Sequence, residues 1–129
     1  MISEKGRRLL DYTGNPDQVF YAQPMTLRAG KEDGIQVIDV DNGSGLHFWI
    51  MPGNCMDIGR LSLHGVNLSF LSKAGYAHAS FYEPEGMRGI HTFSPGFLRT
   101  CGLRNSGLPC EIEGEEFGFL CDFIRQQGG

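Results

Sequence analysis

The sequence predicts an all-β protein, most simply an antiparallel β-sandwich, on three observations. Glycine accounts for 19 of 129 residues, about twice its usual share. These glycines fall between short apolar stretches, as they do where many short strands are joined by tight turns. Within the stretches, β-branched and aromatic residues recur at every second position, the period of a half-buried strand.

Taken in chain order, the first element is the one exception. "SEKGRRLLDY" reads as a short helix, although it is too brief to show a full helical period. In "GIQVIDVDNGSGLHFWIM", Ile35, Val37, Ile38 and Val40 mark a β-branched strand. Asp41-Asn42-Gly43 supplies turn chemistry, and "LHFWIM" answers as the partner strand. The meander continues through "MDIGRLSLHGVNLSFLS", where Ile58, Leu61 and Leu63 precede a turn at Gly65, and Val66, Leu68 and Phe70 follow it. In the acidic "EIEGEE", Glu111 and Glu113 stand two residues apart. On one strand they would share a face and repel if buried, so the segment is read as a solvated edge. "FGFLCDFIRQQ" fits a strand or a helix. No repeat or linker divides residues 1–129, which are read as one domain.

Composition narrows the function. Hydrophobic content of 40% with 20% charged residues describes a folded globular chain. A net charge of −4 with scattered Lys and Arg excludes a nucleic-acid footprint. No apolar run is long enough to span a membrane, and no signal peptide is read at the start, so the expected compartment is the cytoplasm. Cys55, Cys101, Cys110 and Cys121 are then expected as free thiols, because their spacing lacks the close ligand pairs of a zinc site. His47, His64, His78 and His91 include no H-x-H pair that would put two imidazoles on one strand face. Neither a metal nor another cofactor is expected.

Two segments could meet a small polar ligand. "FYEPEG" offers Phe81, Tyr82, Glu83 and Glu85, the aromatic-plus-polar mixture that suits the apolar faces and polar rim of a sugar. The same aromatics could equally be packing. The loop-rich run "TFSPGFLRTCGLRNSGLPCEIEGEE" carries hydrogen-bonding groups at Arg99, Thr100, Arg104 and Asn105, in the kind of strand-end loop that often holds binding residues. Asp57 and Arg60 in "MDIGR" fit either binding or the fixing of a turn.

Three of these segments together carry a resemblance. "MDIGRLSLHGVNLSFLS", "FYEPEG" and "GFLRTCGLRNSGLPCEIEGEE", in this order over about residues 17 to 118, resemble an uncharacterised bacterial family related to aldose 1-epimerases. That family lies within the galactose-mutarotase-like group. The resemblance implies a large two-sheet supersandwich, of which this chain matches the N-terminal portion, with a face that binds a sugar. It implies interconversion of sugar anomers as the family reaction. It also places substrate contacts on Thr100, Cys101 and Asn105, with Arg99 and His91 beside them. The general base of mutarotases lies near their C-terminus, in a half that has no counterpart here. A catalytically incomplete, carbohydrate-binding chain is therefore expected, with self-association through unpaired strand edges. Two other readings stand beside it. One is a non-enzymatic remnant or binding module. The other is a metal-dependent, cupin-like sugar isomerase using the histidines with Glu83 or Glu85.

Overall fold

The computed structural model describes residues 4–54, 56–83, 85–99 and 108–117. It is an all-β, antiparallel, sandwich-like fold, with one α-helix among the described residues. Five strands form a meander in sequence order: β1 (Tyr21–Thr26), β2 (Gln36–Asp41), β3 (Leu46–Met51), β4 (Asp57–Leu63) and β5 (Val66–Asn67). A separate hairpin joins β6 (Cys110–Ile112) to β7 (Glu115–Phe117). The helix, α1 (Glu4–Leu10), is where the sequence places it. Glu4 and Arg8 meet at 3.2 Å one turn apart on its exposed surface.

Each turn has a local cause. Between β2 and β3, Asp41 Oδ1 accepts the Gly43 N–H. Asn42 Oδ1 accepts those of Ser44 and Leu46, so two short side chains tie the loop to itself. Between β4 and β5, His64 and Gly65 both take positive φ (50° and 82°), the pair of left-handed residues that a tight hairpin turn needs. Glu113 and Gly114 repeat this pattern between β6 and β7. Glu113 is therefore a turn residue and does not share a strand face with Glu111, which instead stands opposite Glu116. The described acidic residues of this hairpin are all exposed.

Strand alternation and register give the sheet two distinct faces. One carries Met25 of β1, Val37 of β2, Trp49 and Met51 of β3 and Asp57 of β4. The core sits here: Ile35, Val37, Met51 and Tyr76 are buried, with Met25, Leu27 and Trp49 packed against them. A β-bulge shapes this face. Phe48 pairs with Leu61 but Ile50 pairs with Ile58, so Gly59 and Arg60 together oppose Trp49. The extra residue brings Arg60 onto the core face, where its guanidinium lies 4.7 Å from the Trp49 ring centre. Trp49 also packs against Tyr76, at 6.2 Å between ring centres. Asp57 and Arg60 thus belong to strand β4, and neither sits in a turn.

The free edge of β4 is completed by two non-strand segments. Ile58 bridges Leu98 and Phe70 bridges Gly96, which lays the 96–98 segment alongside the sheet. Among the described residues no helix is long and apolar enough to cross a membrane.

Candidate functional site

Beyond the C-terminal end of β3 the chain makes a 3₁₀ turn, Pro52–Asn54, and two adjoining cavities open beside it. The larger, of about 180 Å³, is lined by Gly34, Ile35, Gln36, Gly53, Asn54, His78 and Ala79. The smaller, of about 20 Å³, shares Asn54, His78 and Ala79 and extends to Tyr82, Thr92, Phe93 and Arg99. Together they fall below the ~300–1,000 Å³ of drug-sized pockets, a scale that suits a small ligand.

His78 sits at the junction, and its surroundings fix its chemistry. It caps the 3₁₀ turn Ala79–Phe81: the Ser80 backbone N–H donates to His78 Nδ1 at 3.2 Å, and Ser80 Oγ lies 2.9 Å from the same atom. A ring nitrogen that accepts from a backbone N–H carries no proton, so the neutral ring holds its proton on Nε2. That edge of the ring lies against Gly34, where an added Cβ would meet Cδ2 at 3.4 Å and Nε2 at 3.5 Å. Backbone pairing anchors the whole segment, since the His78 N–H donates to the Lys31 carbonyl at 2.7 Å. The ring thus presents a fixed donor at the cavity wall.

Arg99 lines the other end. Its guanidinium stacks over Phe93 at 4.8 Å from the ring centre, which restrains a long side chain that would otherwise lose entropy on binding. Of the remaining residues proposed from sequence, His91 is exposed, lies 3.9 Å from Glu83 and lines neither cavity. Thr100, Cys101 and Asn105 lie outside the described residues. In "FYEPEG", Tyr82 reaches the smaller cavity, while Glu83 and Glu85 turn to Arg88, at 3.6 and 3.1 Å. Asn54 carries no signal in the sequence. His78 stands in the sequence as one of four histidines without a metal-ligand spacing, and its position two residues before Ser80 is a local capping pattern rather than a ligand motif.

A second polar cluster stands at the opposite end of β3, on the core face. Asp39 Oδ2 accepts the Tyr21 hydroxyl at 3.0 Å, and Asp39 Oδ1 lies 2.6 Å from His47 Nε2. A carboxylate can only accept, so it orients the imidazole and ties β1, β2 and β3 together. Burial holds the Tyr21 phenol above its ordinary pKa, aided by the hydrogen bond to Asp39 and the negative charges of Asp39 and Asp41. Among the described residues no group of three His, Cys, Asp or Glu side chains comes together as a metal site. Cys110 is a free, exposed thiol; Cys55, Cys101 and Cys121 lie outside the described residues.

Fold and site define an antiparallel β protein with a small polar cavity walled by an oriented imidazole, two aromatic rings and a guanidinium. The family model described as Domain of unknown function (DUF4432) matches residues 32–120, and the chain belongs to that family. The match spans β2 to β7 and so includes every described residue that lines the two cavities. Neither a curated protein nor a solved structure matches the chain significantly.

Proposed function

We propose that this protein binds a carbohydrate in the paired cavities beside Asn54 and His78, as an aldose 1-epimerase-like protein whose primary role is binding. One observation carries the reading. The cavity wall combines directed hydrogen-bonding groups (His78 Nε2–H, Asn54, Thr92, Arg99) with the rings of Tyr82 and Phe93. A sugar presents hydroxyl groups around its rim and C–H groups on its faces, so it needs this mixture. Exchange of anomers asks for more: an acid at the ring oxygen and a base at the anomeric hydroxyl, each worth ~10²–10⁴ in rate. Among the described residues the cavities hold one imidazole and no carboxylate, so binding is what the geometry supports best.

The test is a titration of uniformly ¹⁵N-labelled protein with monosaccharides, followed by amide shifts. Saturable shifts concentrated at Gly34, Asn54, His78 and Arg99, with affinity of order millimolar, are the expected result for so small a pocket. Absence of saturable shifts for every sugar tried would remove the reading.

A further inference from the structure

The ligand class can be narrowed from charge, an inference that rests on the carbohydrate reading above. Arg99 is half-buried at the cavity wall and stacked on Phe93, yet no carboxylate among the described residues pairs with it. Among the described residues, neither cavity is lined by Asp or Glu. Two acidic residues adjoin lining residues in sequence, and each faces a cation outside the cavities: Asp33 beside Gly34 lies 3.4 Å from Arg28, and Glu83 beside Tyr82 has its carboxylate oxygens 3.6 Å from Arg88 and 3.9 Å from His91. In a chain of net charge −4, a cavity whose described lining holds a restrained guanidinium and no carboxylate is a local reversal of sign. A guanidinium forms its strongest hydrogen bonds with a carboxylate or phosphate, in a planar two-bond geometry that a hydroxyl cannot match. His78 adds a second donor, because its tautomer fixes the proton on Nε2.

We propose that the cavity selects a saccharide bearing one anionic group, a carboxylate or a phosphate. Arg99 holds the anion, while His78 Nε2–H and Asn54 hold hydroxyl oxygens of the ring. The aromatic contact between Arg99 and Phe93 is then preorganisation: it keeps the cation in place before the ligand arrives.

The experiment compares galactose, galacturonate and galactose 6-phosphate on the full chain by calorimetry or amide shifts, with inorganic phosphate and acetate as controls. At least one of the two anionic sugars is expected to bind about tenfold or more tightly than galactose, the gain typical of a charge-assisted hydrogen bond. Whichever it is identifies the anion. Added salt should shrink the preference. Arg99→Gln should collapse the ratio towards one, whereas Arg99→Lys, which keeps the charge but not the fork, should retain part of it. Unchanged circular dichroism and melting of both variants would show that they remain folded, and Lys against Gln still reads charge if both are destabilised alike. Equal binding of galactose and both anionic sugars would overturn the anionic preference and leave the carbohydrate reading standing. So would an anionic preference that Arg99→Gln does not alter. Inorganic phosphate binding as tightly as galactose 6-phosphate would show an anion site without sugar recognition and overturn the proposal. Binding of none of the three sugars would remove the carbohydrate reading and this inference together.

Discussion

At the scale of single residues, Asp39 joins three strands of the sheet through one carboxylate. Its carboxylate holds Tyr21 from β1 and His47 from β3 while sitting on β2 itself, and its side chain is only 17% exposed. Asp39→Asn should therefore loosen three strands at once. Hydrogen bonds to a charged partner are worth ~1.5–3 kcal/mol when protected, and the 40% exposure of His47 reduces this through solvent screening. The expected loss is about 1 kcal/mol, read as a lower denaturant midpoint with an unchanged slope. A smaller loss is expected for His47→Gln, which leaves the Tyr21 bond intact. A second residue-level prediction concerns pH. Burial is the first cause of a raised phenol pKa at both Tyr21 and Tyr76. At Tyr21 the Asp39 bond and nearby acidic charges add to it; at Tyr76 the Arg60 charge opposes it in part. The folded chain thus holds these protons more tightly than the unfolded chain, whose tyrosines titrate near 10.0. Their contribution to stability is complete below that pH and is lost as the pH rises through the folded values. Melting temperature should fall above about pH 10, and less steeply in Tyr76→Phe; an equal fall in both proteins would show that Tyr76 is not responsible.

At the scale of elements, the glycine at 96 governs how the 96–98 segment meets β4. Its φ is +67°, and a Cβ there would stand 2.5 Å from the Gly59 carbonyl oxygen and 2.8 Å from the Ile58 carbonyl oxygen. Both are backbone atoms of the bulged strand, which cannot move aside as a side chain could. Gly96→Ala therefore combines left-handed strain of about 1–2 kcal/mol with a backbone clash. It should cost more than ~2 kcal/mol and release the bridges at Ile58 and Phe70. Hydrogen exchange at the Ile58, Phe70 and Leu98 amides measures this, and unchanged protection would count against it. The bulge also explains what could be read in the sequence and what could not. The meander from β2 to β5 was legible because Val37, Trp49 and Leu61 alternate with neighbours of opposite polarity or face, and Gly43 and Gly65 punctuate them. Strand β1 gave no such signal: in Tyr21–Thr26 only Met25 packs on the core, while Ala22, Gln23 and Pro24 are exposed. An edge strand tolerates proline and needs no buried face, so its pattern is silent. Turn identity at Glu113-Gly114 was hidden for another reason, because glutamate rarely supplies the left-handed residue that asparagine or aspartate usually provides. At the site, Arg99 was legible as a hydrogen-bonding residue in a strand-end loop. Asn54 was not, and His78 was legible only as one of four histidines, since the two meet only through the return of the chain past β3.

At the scale of the whole molecule, the sheet has spent its core on one face. The opposite face carries Ile38, Val40, Leu46, Phe48, Ile50, Ile58, Leu61, Leu63 and Val66, and none of these is buried. Leu63 and Val66 are 41% and 62% exposed. A contiguous apolar face of this kind is rare on a solitary soluble protein and usually meets another surface. The sheet edges are poorer places for such contact. β1 carries Pro24 and β5 has two residues, both devices that blunt strand addition. Self-association is therefore expected to proceed face to face rather than edge to edge. Apolar burial contributes ~25 cal/mol per Å², and a stable pair needs roughly 1,000 Å² or more in total, which two such faces would supply only if they pack closely. A weak, concentration-dependent equilibrium is the expected outcome, visible as a rising weight-average mass in sedimentation equilibrium. Leu63→Lys and Val66→Lys put charges on this face at positions already open to solvent, so they should suppress association with little change in melting temperature. A monomer at every concentration would sink the idea. Association that survives both lysines would instead place the contact on a surface other than this face, with the β6–β7 hairpin and its exposed Ile112 the first to examine.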